Sequence, residues 1–212
     1  MSTAKGERSR ARLVGATAAL LQRQGYHATG LGQIVQESGA PRGSLYFYFP
    51  GGKEELACTA LAESGEAMRQ QLEAVIAAAP DPGAAVEDVC RVLGQALAAS
   101  GYAHGCPLAT VALEAAADSD AVREVCATHY AHWEHSIAAR LVAAGTAPES
   151  AAELASFMLA TIEGALLLAK VKRDLGPLEQ AGRILAGMMR QRLDQRLEQT
   201  LEQARIAAGA VE

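Results

Sequence analysis

The residues best suited to chemistry stand together near the N-terminus: Arg42-Gly43-Ser44, then Tyr46, Phe47 and Tyr48, then Lys53. Arginine can grip a guanine edge with two hydrogen bonds, and serine and tyrosine hydroxyls can donate to phosphate. A glycine lets backbone approach a partner closely. That chemistry recognises a polyanion and breaks no bond. Elsewhere the reactive types are dispersed. Cys58, Cys90, Cys106 and Cys126 form no Cys-x-x-Cys pair, so neither a zinc site nor a thioredoxin motif is signalled, and reduced thiols in the cytosol are expected. His129, His132 and His135 step by three, which turns the outer two about 120° apart on a helix. No acidic or cysteine partner completes a site at zinc spacing, so they read as a solvated or cavity-lining face and no metal is expected. No Gly-x-Ser-x-Gly elbow, phosphate loop or His-Glu-x-x-His occurs, and no nucleophile is paired with a base. The chain is therefore expected to be no enzyme and to need no cofactor.

The elements that must position these residues are helices. Leu31, Ile34 and Val35 give one short helix an apolar face, and Gly39 sits where it must stop. Pro41 presets the first turn of the next helix, where its missing N–H costs nothing. Arg42, Gly43 and Ser44 fall in that turn, which is where a recognition helix meets base edges. Leu45 and Phe49 are four apart and should pack inward, leaving Tyr46 and Tyr48 to face elsewhere. The spacing is that of a helix-turn-helix.

The segment from Thr29 to Ala57 resembles the DNA-binding signature of TetR-family transcriptional regulators. It carries Gly43-Ser44-Leu45-Tyr46-Phe47-Tyr48-Phe49, then Lys53-Glu54-Glu55-Leu56. The extra glycine in Phe49-Pro50-Gly51-Gly52-Lys53 is similar to the LmrA/YxaF-type branch, which includes repressors of multidrug-resistance and flavonoid-responsive genes. The resemblance implies that Thr29, Arg42, Gly43, Ser44, Tyr46, Phe47, Tyr48 and Lys53 contact a double-stranded DNA operator, with Lys53 reaching a phosphate. Gly30 stands where the family pattern has a hydroxyl residue, and Thr29 beside it is the available cap.

Charge agrees with a DNA-binding head. Residues 1–50 hold Lys5, Arg8, Arg10, Arg12, Arg23 and Arg42 against Glu7 and Glu37, although the whole chain carries a net charge of −5. The acidic excess therefore lies in the remainder, as expected if only the head meets phosphate. Half of the 212 residues are apolar but only 4% are aromatic, and Ala, Leu and Glu abound. That balance predicts an all-α protein, and the length fits a small head over 1–52 plus one larger domain over 53–212. The resemblance implies about nine helices in all, a helix-turn-helix domain in the head and a ligand-binding and dimerisation domain in the remainder. The N-terminus is polar and basic, unlike a signal peptide. The run from Leu154 to Val171 is interrupted by Ser156, Glu163 and Lys170, which suits burial in protein better than a membrane span. No membrane partner is expected.

In the larger domain, helices are expected from Lys53 to about Ala79, to about Ser100 after the Pro80-Gly83 turn, and from Pro107 to near Asp118. Three more should run from Ser119 or Asp120 to about Ala144, from Pro148 to near Asp174, and onward from Gly176. The helix holding Phe157, Met158, Ile162, Leu166, Leu167 and Leu168 is apolar around most of its girth, so it must be covered on more than one side. Phe157, Ile162 and Leu166, with Leu185, Met188, Met189 and Leu193 of the last helix, are expected to form a four-helix homodimer seam. Two copies would place their recognition helices about 34 Å apart, one turn of DNA. The resemblance further implies a ligand cavity whose occupation spreads the two heads and releases the operator. Tyr130, Trp133, Phe157 and Met158 are its candidate apolar walls, Tyr102, His104 and Cys106 its mouth, and Glu163 its polar anchor. A small, flat or hydrophobic effector is expected of such a cavity. A redox sensor using Cys106 or Cys126 on the same frame is the alternative.

Overall fold

A computed structural model describes the backbone of residues 2–209 and the side chains of residues 6–192. Among the described residues there are nine α-helices and no strand: α1 (Ser2–Ala28), α2 (Leu31–Ser38), α3 (Arg42–Tyr48), α4 (Gly52–Ala78), α5 (Pro82–Ala99), α6 (Pro107–Ala115), α7 (Asp120–Ala143), α8 (Pro148–Lys172) and α9 (Gly176–Gly209). Their starts follow local chemistry. The Asp81 carboxylate accepts the Ala84 N–H at 2.9 Å ahead of Pro82, and the Ser119 hydroxyl accepts the Val122 N–H at 3.1 Å. Both satisfy donors that a helix start leaves without partners. Gly39 ends α2 at φ 59°, ψ 18°, a left-handed backbone that glycine adopts without steric cost. The first helix breaks at Gly25, at φ 80°, and resumes for one more turn to Ala28.

Leu13, Leu20, Leu21, Ile34, Leu45 and Phe49 form the core of the head and close onto Leu56, Ala57, Ala60 and Leu61 of α4. The long α4 packs on α1 at one end and on α5 and α7 at the other, so one rigid helix serves both parts. In the body α5 lies along α9, while α8 packs on α7 and α9. By length and composition α8 is the one described helix able to cross a bilayer. Here Leu154, Met158, Ile162, Leu166 and Ala169 bury one of its faces within the protein.

Candidate functional site

Within α3 the 3.6-residue period separates anchor from reader. Leu45 is sealed inside, as is Phe49 just beyond the helix, whereas Arg42 and Gly43 are exposed and Tyr46 and Phe47 are 60% and 76% exposed. Ser44 and Tyr48 are half-buried. The Tyr48 ring meets Phe47 edge-on at 4.9 Å, and its hydroxyl lies where a Cβ on Gly6 of α1 would come within 2.6 Å. Tyr48 thus helps tie α3 to α1.

The basic residues of the head divide by partner. Arg10 pairs with Glu63 at 3.1 Å and lies 5.6 Å from the Phe49 ring centre, and Arg23 pairs with Glu37 at 2.9 Å. Arg12 and Arg42 are exposed and make no ion pair among the described residues. Arg8, Ser9 and Arg12 line a groove with Pro41, at the entrance to α3. Arg8 and Arg12 were not singled out in the sequence as DNA contacts. Their four-residue spacing on one helix face was the available signal.

Two expected DNA contacts sit differently. Thr29 is fully buried, and its hydroxyl donates to the Gly25 carbonyl at 2.6 Å. Gly30 caps α2 without any side-chain hydrogen bond. The break at Gly25 opens a carbonyl inside the fold and Thr29 satisfies it; sealed there, the Thr29 hydroxyl is out of reach of a phosphate. Lys53 places its ammonium 4.4 Å from the Tyr26 ring centre, and partial burial lowers its pKa against the opposing pull of Glu114. Its cation is thereby held over the last turn of α1.

A cavity of about 360 Å³ lies between α4, α5, α7 and α8, bounded by the loop before α6. Its walls are Met68, Leu72 and Ile76 of α4, Val86, Val89, Leu93 and Leu97 of α5, Trp133, Ile137 and Leu141 of α7, and Met158, Leu159, Ile162 and Leu166 of α8. His104, Cys106, Trp133, Met158 and Glu163, all expected at a pocket, do line it. Tyr102, Tyr130 and Phe157 are not among its lining residues. Phe157 is rotated about 100° from Met158 around α8 and is half exposed. Tyr130 stands edge-on to Trp133 at 5.5 Å, and Tyr102 packs partly buried against the core at φ 63°. The α4 and α5 walls were missed because their helical stripes look like ordinary core.

The residues expected at a dimer seam also divide. Ile162 and Leu166 line the cavity, and Leu185 and Met189 are buried within the protomer. Met188 is half-buried, and the side chain of Leu193 lies outside the described residues. Among the described residues, the large apolar side chains that face outward on these helices are Phe157, Leu167, Leu168 and Val171 of α8 and Ile184 of α9. Ala160, Gly164 and Gly187 are exposed beside them.

Polar groups in the body join the cavity to the head. The Trp133 indole N–H donates to the Gly65 carbonyl of α4 at 3.2 Å. A methyl on Gly65 would lie 2.7 Å from the His129 ring, so only glycine lets α4 and α7 come this close. His129 is buried, its Nδ1 has no partner, and burial lowers its pKa. Arg69 binds Glu66 and Glu73, each at 2.6 Å, and the Ser136 hydroxyl donates to Glu73. Hydrogen bonds donated by Arg69 and Gln70 hold the Glu66 carboxyl down to about 2. On the other side, Gln22 of α1 donates to the Gly105 carbonyl beside Cys106 at 2.8 Å. Glu114 of α6 accepts the His27 N–H at 2.9 Å, and Ser119 hydrogen-bonds Glu54. The α6–α7 corner therefore grips both the end of α1 and the start of α4.

Residues 13–58 match the family model for bacterial regulatory proteins of the tetR family, and residues 82–184 match that for the C-terminal domain of LmrA/YxaF-like transcriptional regulators. The chain is 36% identical over 170 residues to the HTH-type transcriptional regulator LmrA of Bacillus subtilis (strain 168), covering 80% of this chain and 90% of that one. It is 37% identical over 185 residues to an uncharacterized HTH-type transcriptional regulator of Mycobacterium tuberculosis, covering 85% and 93%. Among solved structures, a TetR transcriptional regulator from Chloroflexus aurantiacus superposes with a TM-score of 0.76 at 29% identity, over 88% of this chain and 96% of that one. The regulatory protein TetR from Rhodobacter sphaeroides gives 0.77 at 22% identity, over 84% and 97%, which is a likeness of fold.

Proposed function

The chain belongs to the TetR family of bacterial transcriptional regulators, with an LmrA/YxaF-like C-terminal domain, and on that premise we propose that it is a homodimeric repressor released from a palindromic operator by a small apolar effector. As a member of that family it is a DNA-binding regulator and not an enzyme. Residues 1–52 are the DNA-binding head, 53–212 the effector-binding and dimerisation body, and the protein works in the cytoplasm.

The observation that carries the reading is the split of α3: Leu45 and Phe49 anchor it while Arg42, Gly43, Tyr46 and Phe47 stand free to enter a major groove. Arg42 reads a base edge, and Arg8 and Arg12 add phosphate contacts beside it. Dimerisation is supported by the outward apolar face of α8 and α9, where Ala160, Gly164 and Gly187 allow close approach. Two such faces make a four-helix seam around a twofold axis. Phe157, Leu167, Leu168, Val171, Ile184 and Met188 are its contact residues.

An effector in the cavity displaces Trp133, Ser136 or the Gly105–Cys106 wall, and these bear on α4 through Gly65 and Glu73 and on α1 through Gln22. Its differential affinity for the two head spacings is what lowers operator affinity. The redox alternative is disfavoured by the thiols themselves. Burial pushes Cys126 up to about 11 and Cys106 well above the ordinary thiol value, and a peroxide sensor needs the thiolate.

Sequencing duplex fragments retained by the pure protein tests the reading. A shared inverted repeat is expected, its halves centred about one helical turn apart. Indifference to every duplex at low ionic strength would overturn it, and release by peroxide alone would restore the redox alternative.

A further inference from the structure

Glu163 is the carboxyl group out of place in this body. It lies midway along the apolar α8, borders the cavity, and stands among Met158, Ile162 and Leu166. The group it meets is the Cys106 thiol, a weak hydrogen-bond partner, backed by the Tyr130 hydroxyl. No cation pairs with it among the described residues. Arg69 is engaged by Glu66 and Glu73, Arg140 makes no ion pair, and the Lys170 side chain lies along Gly105. Burial pushes the Glu163 carboxyl up, because a charge in an apolar wall lacks solvation. A carboxyl so placed rewards a guest that brings the missing positive charge. The acidic balance of the body beyond residue 50 also favours cations approaching it.

Accepting that the cavity is the effector site, we propose that its effector is an apolar molecule bearing one protonated amine, with the ammonium seated on the Glu163 carboxylate and the apolar remainder against Trp133, Met158 and Ile162. Trp133 suits that remainder, since its N–H is committed to Gly65 and its ring surface is what it offers the cavity. The guest's charge keeps Glu163 ionised, and the Cys106 thiol stays beside the carboxylate.

The test is a calorimetric titration of the full-length protein with two probes of matched shape, dibenzylamine and dibenzyl ether. The amine should bind about ten- to a hundredfold more tightly than the ether, the range of a charge-assisted hydrogen bond. Glu163→Gln, which preserves shape, should erase that preference and leave the ether's affinity unchanged, which also reports that the variant is folded. Equal binding of the two probes, or a preference that survives in Glu163→Gln, overturns the proposal and leaves the cavity reading standing. If neither probe binds a preparation that still retains its operator, the cavity reading falls, and this proposal with it.

Discussion

Within and just after α3, a few consecutive residues divide between inside and outside: Leu45 and Phe49 are sealed, while Tyr46 and Phe47 reach solvent. Around the cavity the same kinds of side chain come from four long helices, with residues as distant as Met68 and Leu166 facing one space. In the head, therefore, function is a property of one turn of chain and follows from period and capping. In the body it is a property of how helices are rotated against one another. Leu166 and Leu168, two positions apart on α8, show the difference. The first faces the cavity, and the second faces out.

That pair offers the sharpest way to break the contrast. Leu166→Glu places an uncompensated charge in the cavity wall and should cost about 3–5 kcal/mol of stability in chemical denaturation. Leu168→Glu should leave the melting transition nearly unmoved while sedimentation shows monomers in place of dimers. Equal destabilisation by both would mean that Leu168 is covered within its own protomer.

In the head, Arg42→Ala should weaken operator binding by about 1–3 kcal/mol and relax preference at one base pair. Arg10→Ala should matter far less for DNA, because Arg10 is already paired with Glu63. A uniform loss on all sequences for Arg42→Ala would reduce that residue to a phosphate contact.

Where the two parts meet, Gly65→Ala runs against helix propensity. In an unhindered helix interior, alanine in place of glycine stabilises by about 0.5–1 kcal/mol. Here the new methyl meets the His129 ring, and a loss of about 1–3 kcal/mol is expected instead in thermal melts. A gain would show that α4 and α7 can slide apart freely.

The smallest effect is a dependence on pH. His129 has a depressed pKa, so below its ordinary value of 6.5 the unfolded chain takes a proton that the folded one refuses. Stability should therefore fall as pH drops through 6.5, by at most about 1.4 kcal/mol per unit, and His129→Gln should flatten that slope. Glu163 has the opposite sign. Its raised pKa lets the folded chain hold a proton the unfolded chain has lost, so stability should decline as pH rises above 4.5.

The helices were legible because their boundaries are written locally. Gly39, Pro107 and Pro148 punctuate the chain where the sequence indicates, while α5 already begins at Pro82, inside the expected Pro80-Gly83 turn. Thr29 was not legible, since its role depends on a carbonyl opened four residues earlier by the Gly25 break. Phe157 and Tyr130 were not legible either: an aromatic residue on an apolar helix says that it wants cover, and nothing about which neighbour supplies it.

By itself, the sequence determined the all-helical class, the helix-turn-helix and the outward arginine of α3, because hydrogen bonds within a helix, caps and a 3.6-residue period act over a few positions. Tertiary structure alone decided which faces of α7 and α8 wall a cavity, which face of α8 is left outward, and that Glu163 stands there with no counter-ion among the described residues. Those outcomes turn on the rotation of packed helices, where 100° about an axis moves a side chain from solvent to core without altering a single local preference.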